Sequence, residues 1–125
     1  MNSKAYKSYK ISKNEYCELK YFCLRYSKMK QEIQSNGGSL VYGPIGGYTI
    51  SNKRIEQFER DVKLIDRALE LSTDNEIVRG YLRRSVTENV RFESLDVPMG
   101  RRQFYELRRK FFYILCGLKM GYEVQ

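Results

Sequence analysis

Apolar residues recur along this chain at intervals of three and four, the spacing that gathers them on one face of an α-helix. Tyr16, Leu19, Phe22, Cys23, Tyr26, Met29 and Ile33 form the first such stripe. Its start is marked by Ser12-Lys13-Asn14-Glu15, a capping box in which Ser12 and Glu15 satisfy each other's free backbone donors, and the spacing predicts a single helix to about Gln34. A second stripe, Ile55, Phe58, Val62, Ile65 and Leu69, predicts a helix opening at Ser51 or Asn52. Its steps of three, four, three and four suit a seam that zips onto another helix. The partner is either the first helix of the same chain or its counterpart in another subunit. Between the two stripes, residues 35 to 49 hold five glycines and Pro44 among Leu40, Val41, Tyr42, Ile45 and Tyr48, which predicts a flexible loop or a small hairpin. No Gly-Lys-Ser/Thr follows, and Lys53 stands apart, so this is not a phosphate loop.

The second half reads differently. Ile77, Val78, Tyr81, Leu82 and Val86 predict a helix capped by Asp74 or Thr73 and running through about Val90. One short helical turn, Arg91-Phe92-Glu93-Ser94-Leu95, follows and presents Phe92 and Leu95 inward. The Asp96-Val97-Pro98-Met99-Gly100 connection then forces a corner, because Pro98 biases Val97 away from helical angles. Beyond it a last long helix carries Phe104, Leu107, Phe111, Leu115 and Leu118 on its inner side. Arg102, Glu106, Arg109 and Tyr113 lie opposite, flanked by Tyr105 and Lys110. Arg108 falls near the apolar stripe, where its stem packs and its head group snorkels outward. The expected fold is all-α, with a helical hairpin over residues 1–72 that includes the Gly-rich segment 35–50. Residues 73–125 are expected to form a three-helix unit of helix-turn-helix type.

Charge changes what that last helix is for. The 125 residues carry a net charge of +8 with a pI near 9.4. Residues 1 to 34 and 79 to 110 each contribute +5, while 35 to 78 contribute −2. Two basic segments therefore flank an acidic one, as expected of a chain that binds a polyanion. A helix following a corner, with Arg101, Arg102, Gln103 and Tyr105 in its first turns, matches the element that enters the major groove by its N-terminal end. Gly100 and the free N–H groups after it favour a phosphate. In this reading Arg101 and Arg102 contact guanine edges, Gln103 and Tyr105 read or position neighbours, and Arg109 lies on the same face. Lys110, Arg91 and Arg84 hold phosphates.

Enzymatic chemistry finds few candidates. The chain has no histidine, the commonest general base and metal ligand. Cys17, Cys23 and Cys116 lack Cys-x-x-Cys spacing and read as reduced thiols, with Cys23 and Cys116 as packing residues. The acids fall mainly on solvated faces beside Lys and Arg, as Glu59 and Lys63 do. No catalysis, cofactor or metal is expected, and the apolar run Phe111 to Leu118 is too short to span a bilayer.

Two segments also resemble a known family. Glu18-Leu19-Lys20-Tyr21-Phe22-Cys23-Leu24-Arg25-Tyr26 is similar to the opening helix of the ArpU-like and RinA-like transcriptional regulators of phages and prophages of Gram-positive bacteria. Val86-Thr87-Glu88-Asn89-Val90 and the run from Pro98 to Phe112, above all Gly100-Arg101-Arg102-Gln103-Phe104-Tyr105, resemble their ending. The resemblance implies a helix-turn-helix related to the promoter-reading region of sigma factors, activation of late genes, and a bacterial cytoplasm. Carried over, it assigns Arg101, Arg102, Gln103, Tyr105 and Arg109 to base or phosphate contact. The Gly-rich segment has no counterpart in it. A sequence-specific duplex-DNA-binding regulator is thus the leading expectation, with host RNA polymerase a candidate partner and a two-fold dimer compatible. The alternatives are a DNA-packaging recognition subunit of small-terminase type and a module whose basic helix meets an acidic protein.

Overall fold

Ser12 opens the first helix as its sequence demands. In the computed structural model, which describes the backbone of residues 9–36 and 45–121 and the side chains of 9–35 and 53–121, the Ser12 hydroxyl accepts from the Glu15 N–H. The Glu15 carboxylate in turn accepts from the Ser12 N–H, both at 3.1 Å. The expected single helix is divided into α1 (Lys13–Leu24) and α2 (Tyr26–Asn36). At Arg25 the backbone N–H bonds Phe22 at 3.2 Å, a spacing of three rather than four. Phe22 and Cys23 on one side of this tighter turn and Tyr26 and Met29 on the other all face the same core.

Helix α3 (Ile45–Ser72) begins about two turns before the expected Ser51 or Asn52. Residues 45–49, read from the sequence as loop or hairpin, are helical, while 37–44 and the expectation placed on them lie outside the described residues. Gly46 and Gly47 disfavour a helix by about 1 kcal/mol each, but extending a helix already nucleated costs far less than starting one. The predicted seam is buried throughout, from Ile55 to Leu69. It packs within the chain against both α2 and the final helix, so a two-fold dimer would have to use another surface.

Helix α4 (Glu76–Glu88) is capped by Asn75, not by Asp74 or Thr73. Asn75 Oδ1 accepts from the Ile77 and Val78 N–H groups at 3.0 and 3.1 Å, and the Thr73 hydroxyl accepts from the Asn75 N–H one step upstream. Ile77 points outward, at 66% exposure, because it falls to one side of the face formed by Val78, Leu82 and Val86, which are buried as expected. The helix stops at Glu88 because Asn89 adopts the left-handed conformation, φ 57° and ψ 36°, which asparagine tolerates better than most residues.

The short turn is a 3-10 segment, Phe92–Ser94, with Leu95 buried behind it and Phe92 half-buried. After the corner, helix α5 (Arg101–Lys119) threads the middle of the molecule against α1, α3 and α4. Phe104, Phe111 and Leu115 have no exposed surface, and Leu107 and Leu118 pack at the margin. Phe112 and Ile114, which the stripe omitted, are buried too. Phe112 meets Tyr16 of α1 edge-on at 5.1 Å. The C-terminal half of α5 is therefore enclosed on more than one side, while the N-terminal half buries Phe104 and leaves Arg101, Arg102 and Gln103 exposed. One hydrophobic cluster unites side chains from all five helices.

Not every acid lies on a solvated face, as the sequence had led one to expect. Asp61 is buried and accepts from Gln57 Nε2 at 2.9 Å. Asp66 accepts from the buried Tyr26 hydroxyl at 2.6 Å, joining α2 to α3. Burial first, and Asp66 second, hold that phenol's pKa above its ordinary value.

The cysteines are free, with Cys17 exposed and Cys23 enclosed. Burial pushes the Cys23 thiol up to about 12, so it stays protonated at neutral pH and unreactive. Iodoacetamide at pH 8 is expected to label Cys17 in the native chain and Cys23 only after denaturation. Equal native labelling of the two, read by peptide mass spectrometry, would contradict this packing.

Candidate nucleic-acid interface

The corner at Val97-Pro98-Met99-Gly100 is followed directly by the first turn of α5. Gly100 is the N-cap, with extended backbone angles of φ −70° and ψ 156°. Its N–H donates to Gln103 Oε1 at 3.4 Å, so Gln103 serves as a cap for the helix it was expected to read from. A Cβ at Gly100 would meet only Gln103 Oε1, at 3.9 Å. The chain's own packing does not require a glycine there.

Arg101, Arg102, Gln103 and Arg109 are exposed, and Tyr105 and Lys110 are half-buried beside them. The structure thus brings together on one helix six of the eight side chains expected to touch DNA. Arg101 bonds Glu93 of the 3-10 turn. Its guanidinium also lies 5.6 Å from the Tyr105 ring centre, and that of Arg108 lies 5.9 Å from the same ring. Arg109 bonds Glu106 at 2.8 Å. Among the described residues no ion pair engages Arg102.

The two acids bear on how freely these arginines could turn to a ligand. Exposed pairs of this kind contribute about 0–1 kcal/mol, because water screens them. Glu93 and Glu106 therefore orient Arg101 and Arg109 without holding them against a phosphate or a guanine edge. Glu106 departs from the expected fully solvated position, since its second oxygen, Oε1, is buried with no hydrogen-bond partner.

Arg91 is exposed and precedes the 3-10 turn, one element before the α5 cluster. Arg84, on α4, is exposed and lies 3.9 Å from Glu88 of its own helix. Arg108 behaves as expected of a residue between stripe and solvent: half-buried, it lies 5.5 Å from the Phe112 ring centre.

The outward face of α5 was expected to be open along its whole length, yet it is crossed near its middle. Tyr9, ahead of α1, packs its ring on that of Tyr113 at 5.6 Å and lines clefts on both flanks of the helix. On one flank it meets Arg102, Gln103, Glu106 and Lys110. On the other it joins Lys10 and Lys13 in facing Arg108 and Arg109. The tilted contact of two tyrosine rings is the physical cause, and no periodic signal in residues 9 to 13 foretells it. The positive charge of residues 1 to 34 was the available hint, but charge alone does not say which surface it joins.

Among the described residues, no cluster of three or more His, Cys, Asp or Glu side chains could hold a metal ion. No helix among them is long and apolar enough to cross a membrane. Comparison of the chain with protein-family models, curated proteins and solved structures returns no match.

Proposed function

We propose that the chain is a sequence-specific reader of duplex DNA, a transcriptional regulator of the ArpU-like and RinA-like phage and prophage kind. In this reading α4, the 3-10 turn and α5 act as a helix-turn-helix with α5 as the recognition helix. The observation that carries it is that Phe104, Phe111 and Leu115 anchor α5 in the core while Arg101 and Arg102 in its first turn face solvent. A rigidly anchored helix that offers arginines at its free end suits bidentate recognition of guanine in the major groove. The charge of +8 supplies the sequence-independent part of the affinity.

Each side chain then has a role set by its surroundings. Arg102, free of ion pairs, contacts a base edge, and Arg101 exchanges Glu93 for a second contact. Gln103 and the open first-turn N–H groups meet a phosphate, with Lys110 and Arg109 on either flank. Arg91 and Arg84 add positive charge at the edge of the surface.

Selection from a pool of random duplexes at about 150 mM salt tests the reading, because non-specific binding is weak under those conditions. A regulator is expected to enrich one short motif containing guanine contacts, with either one half-site or two related by symmetry. Recovery of an unenriched pool, or no retention of DNA, would refute it.

A further inference from the structure

The cleft between residues 9–13 and the flank of α5 has a volume of about 480 Å³. Lys10 and Lys13 stand on one wall, and Arg108 and Arg109 on the other. Among the described residues that line it there is no acid. Outside the lining, Glu15 accepts from the Ser12 N–H and Glu106 pairs with Arg109. Arg108 lies 5.9 Å from the ring centre of Tyr105 and 5.5 Å from that of Phe112. Four cations on two separate segments thus converge on an open cleft.

Glu106 offsets part of the charge of Arg109, but no acid lines the cleft beside Lys10, Lys13 and Arg108, and like charges gathered this way repel one another. A polyanion offsets that repulsion. We infer that the cleft is a second DNA-binding site, a clamp that takes the phosphate backbone of the strand bordering the groove that α5 enters. The inference rests on the reading of α5 as a DNA-binding helix and deepens it, because it adds Lys10, Lys13 and Arg108 to the interface. The placement fits that partner. Arg109 and Tyr105 belong both to the outward surface of α5 and to the cleft, so one wall of the clamp is continuous with the reader. A helix lying in a major groove has a backbone on each side, and the opposite flank of α5 carries Arg102 and Lys110. Residues 9–13, for which the sequence offered only the positive charge of residues 1 to 34 and a helix cap, become the arm that lies along one strand.

The test uses the full chain and a duplex of about 20 base pairs, two helical turns, titrated by fluorescence anisotropy over a range of salt concentrations. The double variant Lys10→Gln, Lys13→Gln removes two phosphate contacts, so the slope of log K against log salt is expected to become shallower by about 1.8. Its affinity should fall by the same factor on a selected sequence and on a scrambled one. Lys28→Gln with Lys63→Gln removes the same net charge from exposed positions outside the cleft and should leave the slope near that of the unaltered chain. Lys10 and Lys13 are exposed, so the fold should persist, and thermal melting checks that it does. A slope unchanged in Lys10→Gln, Lys13→Gln, or lowered equally in both double variants, overturns the clamp. If Arg102→Ala still relaxes sequence choice in that case, the reading of α5 stands without the clamp. If the unaltered chain binds no duplex, the reading of α5 itself has failed and the clamp falls with it.

Discussion

Phe104→Ala is expected to destabilise the chain by about 3–5 kcal/mol, the range for truncating a fully enclosed aromatic ring. Phe104 has no exposed surface. Its ring lies 5.6 Å from that of Phe92 in the 3-10 turn and 6.2 Å from that of Tyr105. It therefore joins the turn before the corner to the helix after it. The cavity left by alanine cannot readily collapse, because the turn and the helix approach from different directions. A chain of this size has about 5–15 kcal/mol in total, so the variant should melt far earlier in urea and partly unfold at physiological temperature. A loss below about 1 kcal/mol, the value for a surface site, would mean that the corner is not packed as described. Because Tyr105 leans on Phe104, the loss should also reach the exposed side of α5 before the chain unfolds globally.

The second large effect concerns recognition. Arg102→Ala is expected to lower affinity for a selected duplex by about 1–3 kcal/mol, roughly a five- to 150-fold loss, and to relax the choice of one base. Stability should be nearly unchanged, since Arg102 is exposed and no ion pair engages it among the described residues. Arg101→Ala should differ in kind. It also strips Glu93 of its partner and leaves a carboxylate facing the phosphates, so the loss should extend to every sequence. Glu93→Gln separates the two effects, because it frees Arg101 without leaving that charge behind. It is expected to raise affinity for scrambled duplexes and so narrow the ratio between selected and unselected sites. An Arg102→Ala chain with unaltered affinity and unaltered selection would remove Arg102 from the interface.

Much of the architecture was legible before any coordinates. The stripe from Leu19 to Met29 and the seam from Ile55 to Leu69 are buried as their spacing requires, and so are Phe104, Phe111 and Leu115. The Ser12–Glu15 box and the corner at Pro98 were legible as well. These features are local: a cap or a periodic face is encoded within a few residues.

Errors arose where local signals tied or distant residues decided. Thr73, Asp74 and Asn75 are three consecutive capping residues, and only the packed register of Val78 and Leu82 selects Asn75. Arg25 carries no breaker signal, yet the helix is divided there, with Phe22, Cys23, Tyr26 and Met29 all in one core. Gly46 and Gly47 argued for a loop, and helix propagation from α3 prevailed.

The candidate site divides in the same way. The sequence by itself determined that a basic amphipathic helix follows a sharp corner and that its Arg101, Arg102 and Arg109 point away from the core, because helical geometry converts spacing into direction. Only the tertiary structure decided that Tyr9 packs beside Tyr113 and that Lys10 and Lys13 line one cleft with Arg108 and Arg109. Those contacts join segments about a hundred residues apart. Nothing in the periodicity of either segment refers to the other, and only a shared core brings them together.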